Sequence, residues 1–257
     1  MRFCKMSFSK LSSAAFGAAI VVILMMCASG SASAAACTDA SFKGVYSIFT
    51  SGFFNAEPVA NVGQITASGT GTLSGTLSHS EGGIQYTGSI SGTYTVAKNC
   101  TGTLTFTQGT STYNYSFALD NSNKAFQGIE TDLGATVAGF LEPLSTATCG
   151  LSDLSKTYAF SSFGAESGVG AVSYVGQLAL DGKGDVTGTI TVSTKGTIDP
   201  GVAVTGSYTQ GSNCIGTLTL APKGFSTLNF ATYAVNGNKE LLMEQTNSGA
   251  TVGGNIQ

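Results

Sequence analysis

The sequence predicts an all-β protein made of two tandem eight-stranded up-and-down β-barrel-like domains. Three observations favour this fold: apolar and polar residues alternate along most of the chain, 35 of the 257 residues are glycine, and the second half aligns with the first. Alternation with period two is typical of antiparallel strands that bury one face. Paired β-sandwiches remain the alternative architecture, because they use the same short strands and turns.

The composition excludes several classes of protein. Charged residues make up 10% of the chain, against roughly 25% in an average soluble protein. The net charge of −3 argues against electrostatic nucleic-acid binding, and the 42% apolar content argues against disorder. With one histidine and no tryptophan, the chain has little material for histidine-based catalysis or metal binding. We therefore expect no cofactor and no metal.

Residues 1–36 have the pattern of a secretory signal peptide. Basic residues precede an apolar run over 14–28, and small residues follow with cleavage motifs ending at Ala34 and Ala36. The run is short for a membrane span of about 20 residues, so we expect cleavage, no span in the mature chain, and a secreted, periplasmic or cell-surface location. The mature chain then carries 8 basic and 14 acidic residues, a net charge of −6. Lipidation of Cys37 is an alternative to a disulfide there.

The mature chain is an internal duplication. Cys37 matches Cys149, and the run 99–105 matches 213–219 with the shared letters NC-x-GTLT. The offset between the copies grows from 112 to 115 in steps of one residue, as expected for insertions in turns. A period above 100 residues indicates two homologous domains rather than a solenoid. The predicted divisions are a signal peptide over 1–36, repeat 1 over 37–143, a linker over 144–148 and repeat 2 over 149–257.

The repeats also predict the disulfides. Four cysteines remain after signal cleavage and allow three connectivities. Each repeat has one cysteine before its first strand and one near its middle, which favours pairing within repeats. Exported chains can retain such bonds. The predicted pairs are Cys37–Cys100 and Cys149–Cys214.

Period-two segments separated by turn residues predict about eight strands per repeat. Glycines recur at inward positions, Gly75 with Gly188 and Gly92 with Gly206, and predict bends or close approach of two backbones. An eight-stranded barrel of this size is either filled by side chains or holds one small ligand. In repeat 1 the predicted strands are 44–51, 60–67, 71–78, 84–96, 100–108, 112–119, 125–131 and 136–141.

The repeat motif G-x-Y, TGT, GxY and CxGTLT stands here as Gly44–Tyr46, 187–189, Gly92–Tyr94 and Cys100–Thr105. It resembles a group of uncharacterised secreted bacterial proteins with the same tandem pattern, and the resemblance covers nearly the whole mature chain. That resemblance implies no activity. The segments 185–189 and 204–208 also resemble the avidin-type barrel, but the ligand-lining tryptophans of that family are missing. This second resemblance implies architecture and no ligand.

Four features of the sequence are candidates for chemistry. His79 is predicted to lie in a solvated loop without a partner that would orient it for catalysis. The segment Asp181–Asp185 is predicted to be a glycine-rich turn rather than a calcium loop, since Lys183 occupies its middle position. Glu240 and Glu244 share a strand face and carry the low-ranked hypothesis of a glycan or ester hydrolase, although rim carboxylates are the preferred interpretation. The threonine rows around 101–107 and 187–191 are interpreted as water-facing strand residues.

We therefore expect a secreted, non-enzymatic binding module that takes a small apolar ligand or a glycan in or on a barrel. A structural or adhesive envelope protein that self-associates is the alternative. No catalytic residue is assigned. The ligand-binding prediction rests on inward aromatic residues, which more often fill a core than line a pocket. The predicted lining residues are Tyr46, Phe49, Tyr86, Tyr94, Phe106, Tyr158, Phe160 and Tyr208.

Overall fold

The computed structural model describes residues 36–120, 126–144 and 149–257 and contains two closed antiparallel barrels of eight strands each. The signal peptide predicted over 1–36 lies outside the described residues except for Ala36. The same is true of most of the predicted linker. Each barrel is a simple up-and-down meander in which every strand pairs with its neighbours and the first strand pairs with the last. The predicted tandem-barrel fold is confirmed, and the sandwich alternative is wrong.

Barrel 1 contains eight strands that agree with the predicted ones to within a few residues. They are β1 (Lys43–Phe54), β2 (Glu57–Ser68), β3 (Thr72–Glu81), β4 (Ile84–Val96), β5 (Thr101–Gln108), β6 (Ser111–Leu119), β7 (Phe126–Glu130) and β8 (Ala135–Pro143). Barrel 2 repeats the pattern after a short 3-10 helix, Leu151–Leu154. Its strands are β9 (Lys156–Glu166), β10 (Gly170–Leu180), β11 (Asp185–Thr194), β12 (Thr197–Gln210), β13 (Ile215–Pro222), β14 (Leu228–Val235), β15 (Glu240–Gln245) and β16 (Ala250–Ile256).

Alternation along each strand places apolar side chains inside the barrel and hydroxyl groups outside. In β5, Leu104 and Phe106 are buried, whereas Thr103 and Thr105 lie on the outer face. The inward glycines allow close contact between strands: a Cβ built on Gly92 would collide with the carbonyl oxygen of Thr105. The predicted close backbone approach is therefore confirmed at this position, and its counterpart Gly206 faces Thr219 in the same way.

One end of each barrel is closed by a short plug. In barrel 1 a 3-10 helix, Asp39–Ser41, leads into Phe42, which is fully buried against the rings of Tyr46 and Tyr94. The Tyr94 hydroxyl donates to the Phe42 carbonyl at 2.7 Å and accepts from the Gly69 N–H at 2.7 Å. Barrel 2 has the equivalent arrangement, with Leu154 buried and the Tyr208 hydroxyl accepting from Gly182. We call these the closed ends.

Both predicted disulfides are confirmed and tie the closed ends. Cys37 bonds Cys100 and Cys149 bonds Cys214, across sequence separations of 63 and 65 residues. Such loops restrict the unfolded chain, which is how a disulfide stabilises in the chain-entropy model.

Removing the Cys149–Cys214 disulfide with the double variant Cys149→Ser/Cys214→Ser is expected to lower the free energy of unfolding by roughly 4 kcal/mol. Urea unfolding followed by circular dichroism measures the change. The matched control is Cys37→Ser/Cys100→Ser, which opens a loop of nearly the same length and should lose a similar amount. Reduced wild-type protein lacks both disulfides and should lose roughly twice as much. A loss below about 1 kcal/mol would contradict this role of the disulfide.

The barrels pack side by side through outward-facing residues, with β2 of barrel 1 against β14, β15 and β16 of barrel 2. A separate apolar cluster fills this contact: Phe49 and Val62 from barrel 1 meet Tyr233, Val235 and Leu242 from barrel 2. The interior placement predicted for Phe49 is therefore wrong. Its neighbours in β1 with the opposite parity, not Phe49 itself, point inward.

None of the helices in the described residues has enough apolar residues to span a bilayer.

Candidate functional site

The end of barrel 1 opposite the plug is open and contains a cavity of about 270 Å³. We call this end the mouth. It is formed where β3 and β7 end and where β2 and β6 begin, so that inward positions of four strands meet at one place. The lining combines carboxylates, a histidine and aromatic rings. It includes Phe54, His79, Glu81, Tyr113, Glu130 and Asp132.

His79 lies inside the barrel and not in a loop. Strand β3 continues to Glu81, because a two-residue turn of Gly82 and Gly83, both with positive φ, connects it to β4. Such turns match the twist of a hairpin. His79 therefore has the inward parity of Leu77, and its side chain is only 12% exposed. The predicted solvated loop is wrong at this residue.

The His79 ring is fixed on both sides. Its Nδ1 lies 2.6 Å from Oδ1 of Asn61, whose amide nitrogen donates to Thr50 at 2.7 Å. Because an amide oxygen only accepts, Nδ1 carries the proton. Nε2 then points toward Glu81, with a separation of 3.5 Å from Oε2. Burial lowers the pKa of His79, and the charge of Glu81 and a hydrogen bond to it oppose that effect only in part.

Two acidic residues occupy the other side of the cavity. Glu130 is buried and accepts a hydrogen bond of 3.1 Å from the Tyr115 hydroxyl. Burial raises the pKa of Glu130, and the nearby charges of Asp132 and Glu81 raise it further. Asp132 accepts from the backbone N–H and the side-chain amide of Asn114, at 2.8 and 2.7 Å. The cavity therefore presents hydrogen-bond acceptors on a fixed framework.

The same positions in barrel 2 carry residues that do not ionise. Val192, Leu228, Gln245 and Asn247 correspond to His79, Tyr113, Glu130 and Asp132 in the repeat alignment. The backbone geometry is preserved, since the Asn229 N–H donates to Asn247 at 2.7 Å just as Asn114 donates to Asp132. At these four positions barrel 2 thus provides an internal reference for the same frame without ionisable side chains, although Glu166 and Asp199 line other parts of its mouth.

The predicted lining residues do not gather at this cavity. Most of them fill the barrel interiors or the closed ends, with Tyr86 exposed at the mouth rim and Phe49 in the contact between barrels. The residues that fill the interior or closed ends are Tyr46, Tyr94, Phe106, Tyr158, Phe160 and Tyr208. Phe106 does approach the site, because its ring stacks on Tyr113 with a centroid distance of 5.2 Å.

Four residues of this site, Glu81, Tyr113, Glu130 and Asp132, are not among the residues predicted from the sequence. The alignment of the two repeats could have indicated the site, because ionisable residues of repeat 1 align there with neutral residues of repeat 2.

The other candidates also have defined positions. The turn Asp181–Asp185 is confirmed: Asp181 Oδ1 accepts from three successive backbone N–H groups, which lowers its pKa. Glu240 is held by Asn236 and Asn255, each at 2.9 Å. Glu244 is fully buried between the barrels, so the preferred interpretation of a rim or solvated carboxylate is wrong for this residue. The Glu240 and Glu244 side chains therefore do not share an accessible cleft.

Among the described residues, no three histidine, cysteine, aspartate or glutamate side chains are grouped so that they could hold a metal ion. A second cavity, about 900 Å³ and wide open, lies on the outer wall of barrel 1 between Phe49, Phe117, Ile129 and Phe140. It is lined mostly by small and apolar residues, without a fixed set of polar groups. Neither a family model nor a curated protein matches the sequence, so the comparisons carry no functional assignment.

Proposed function

We propose that the protein is an exported, non-enzymatic binding module that takes a small glycan at the mouth of barrel 1. One observation carries the proposal. Two copies of the same frame have the same end open, and in barrel 1 that end combines a buried histidine with the three carboxylates of Glu81, Glu130 and Asp132. The mouth of barrel 2 has Glu166 and Asp199 but no histidine. Burying ionisable groups costs stability, and barrel 2 forms the same frame with Val192 and Leu228 in their place. The lining of barrel 1 is therefore explained by recognition rather than by folding.

The chemistry of the lining favours a sugar over an apolar ligand. Glu81, Glu130 and Asp132 offer acceptor oxygens that pair with hydroxyl donors, and such bonds are strengthened by the carboxylate charge. The rings of Tyr113 and Phe54 offer apolar faces to the C–H side of a sugar. The middle of the barrel is occupied by packed side chains such as Leu77 and Leu104, which favours a ligand held at the mouth.

Purified mature protein is expected to gain thermal stability from a neutral mono- or disaccharide in a panel that also contains apolar small molecules. At a ligand concentration of 100 times the Kd, the free energy of unfolding should increase by about 2.7 kcal/mol. The diagnostic variant converts the site to its barrel 2 equivalent: His79→Val, Glu130→Gln and Asp132→Asn together. It should fold and lose the response to ligand.

The matched control is Asp185→Asn, an exposed acidic residue at the closed end of barrel 2. It should keep the full response. A panel without any stabilising sugar, or a triple variant that responds as wild type does, would contradict the proposal. Release of reducing ends or free acid from the panel compounds would instead favour the hydrolase hypothesis.

A further inference from the structure

The two mouths open on the same side and share part of one rim. The β3–β4 turn of barrel 1 meets the β15–β16 turn of barrel 2, and each turn lies at the mouth end of its barrel. The Gly249 N–H donates to the Gly83 carbonyl at 3.0 Å, and the Gly83 N–H donates to the Thr251 hydroxyl at 2.7 Å. The Gln85 side chain also donates to the carbonyl of Asn247 at 3.2 Å. These bonds fix the mouths as neighbours.

Cavities continue from this shared rim across the mouth of barrel 2. One, of about 230 Å³, is lined by Gln245, Asn247 and Glu166, beside the turn that contacts barrel 1. Another, of about 470 Å³, lies farther across the mouth and is lined by Asp199 and Phe225, among others. Glu166 lines both cavities, so they are adjacent.

Gln245, in the wall of the first of these cavities, has a buried polar atom without a partner. Gln245 is 2% exposed, and its amide nitrogen donates to Glu166 at 3.1 Å. Its carbonyl oxygen, Oε1, has no hydrogen-bond partner. Buried acceptors are nearly always paired in folded proteins. An acceptor without a partner in a cavity wall therefore points to a ligand that donates a hydrogen bond.

Large apolar side chains are exposed around both mouths. Isolated exposed apolar residues are normal, but several that surround cavities at one end of a molecule indicate an interaction surface. Those at or beside the turns of this end are Ile84, Tyr86, Leu133, Val169, Ile198 and Phe225.

We infer that the two mouths together form one extended site for a linear, uncharged polysaccharide, which enters the cavity of barrel 1 and continues across the shared rim onto barrel 2. This inference rests on the proposed function and adds the length and charge of the ligand. Apolar C–H faces of successive sugars pack on Tyr86 and Phe225, and hydroxyls donate to Gln245 and the carboxylates. Acidic side chains outnumber Lys195 in the lining of these cavities, so a polyanion would be repelled; they include Glu81, Asp132, Glu166 and Asp199.

Calorimetric titration with β-1,4-linked glucose and N-acetylglucosamine oligomers of two to six units tests the inference. Affinity is expected to rise at least about tenfold from the disaccharide to the hexasaccharide. The further sugar units are already tethered to the bound end, so their binding to barrel 2 is intramolecular. Phe225→Ala should weaken hexasaccharide binding about fivefold or more and leave disaccharide binding unchanged, because one exposed ring is removed from barrel 2 only. Val175→Ala, exposed on the outer wall of barrel 2, is the matched control.

The outcomes separate the two proposals. Equal affinity for all lengths with an unaffected Phe225→Ala variant overturns the extended site and leaves the barrel 1 site standing. Tighter binding of a uronic-acid oligomer of the same length overturns the uncharged class of ligand. Absence of binding by every oligomer, together with no sugar response in the thermal assay, removes both proposals.

Discussion

Replacing Glu244 with glutamine is expected to stabilise the protein above pH 8 by roughly 5 kcal/mol relative to the wild type. Glu244 is fully buried in the contact between the barrels, and neither carboxylate oxygen has a hydrogen bond of normal geometry. Burial raises its pKa from 4.5 to about 8, and the Ser78 hydroxyl of barrel 1 offsets this only in part. Tyr233 faces the same contact, and its pKa is raised by burial and then by Glu244.

The direction of the pH dependence follows from proton binding. Between pH 4.5 and about 8 the folded protein holds a proton on Glu244 that the unfolded chain has released. Stability therefore falls as pH rises through this range and levels off above it. A glutamine has no proton to lose, so the variant should lack this fall.

Urea unfolding at several pH values between 5 and 9 measures the effect for wild type and variant. Glu240→Gln is the matched control, because Glu240 lies on the same strand but is only partly buried and is held by two asparagines. If the free energy of unfolding changed with pH in the same way for wild type and Glu244→Gln, the buried, unpaired state of this carboxyl would be contradicted.

Truncating the plug of barrel 1 with Phe42→Ala should cost about 3–5 kcal/mol of unfolding free energy. Phe42 is fully buried and touches the rings of Tyr46, Tyr94, Phe117 and Phe126 at centroid distances of 4.9 to 5.9 Å. Its loss leaves a cavity that the disulfide-tied end cannot collapse to fill.

Thermal and urea unfolding measure this loss. Phe42→Leu should fold with a smaller loss and keeps the comparison available if the alanine variant does not fold. Phe163→Ala removes an exposed ring from barrel 2 and should change stability by less than about 0.5 kcal/mol. Equal losses for Phe42→Ala and Phe163→Ala would show that the plug does not contribute as described.

The strands, the inward faces and the disulfides could be predicted because each depends on local or repeated sequence. Period two identifies the inward set of a strand, as for Leu104 and Phe106, and the duplication places each cysteine twice. What could not be predicted is which outward residues become buried. Phe49 and Glu244 lie on faces that would be wet in a lone barrel, and only the packing of barrel on barrel buries them.

The position of the candidate site could not be predicted from the sequence for a related reason. The period-two pattern identifies which side chains point inward but not how far along the barrel axis they lie. It therefore does not distinguish residues at the plug, such as Tyr94, from residues at the mouth, such as Tyr113. The predicted strand 71–78 stops before His79, whereas β3 continues to Glu81 and the tight turn is formed by Gly82 and Gly83. The hydrogen bonds that orient His79 and Glu130 come from other strands and depend on the barrel register.

Closure of both barrels also limits how copies of the protein can assemble. In each barrel the first and last strands pair with each other, so no row of free backbone N–H and C=O groups remains to template a neighbouring chain. Cross-β polymerisation would require a barrel to come apart first. Assembly through the two barrels that the structure describes would therefore depend on side-chain surfaces, and native solutions should leave amyloid-sensitive dyes dark even at high protein concentration.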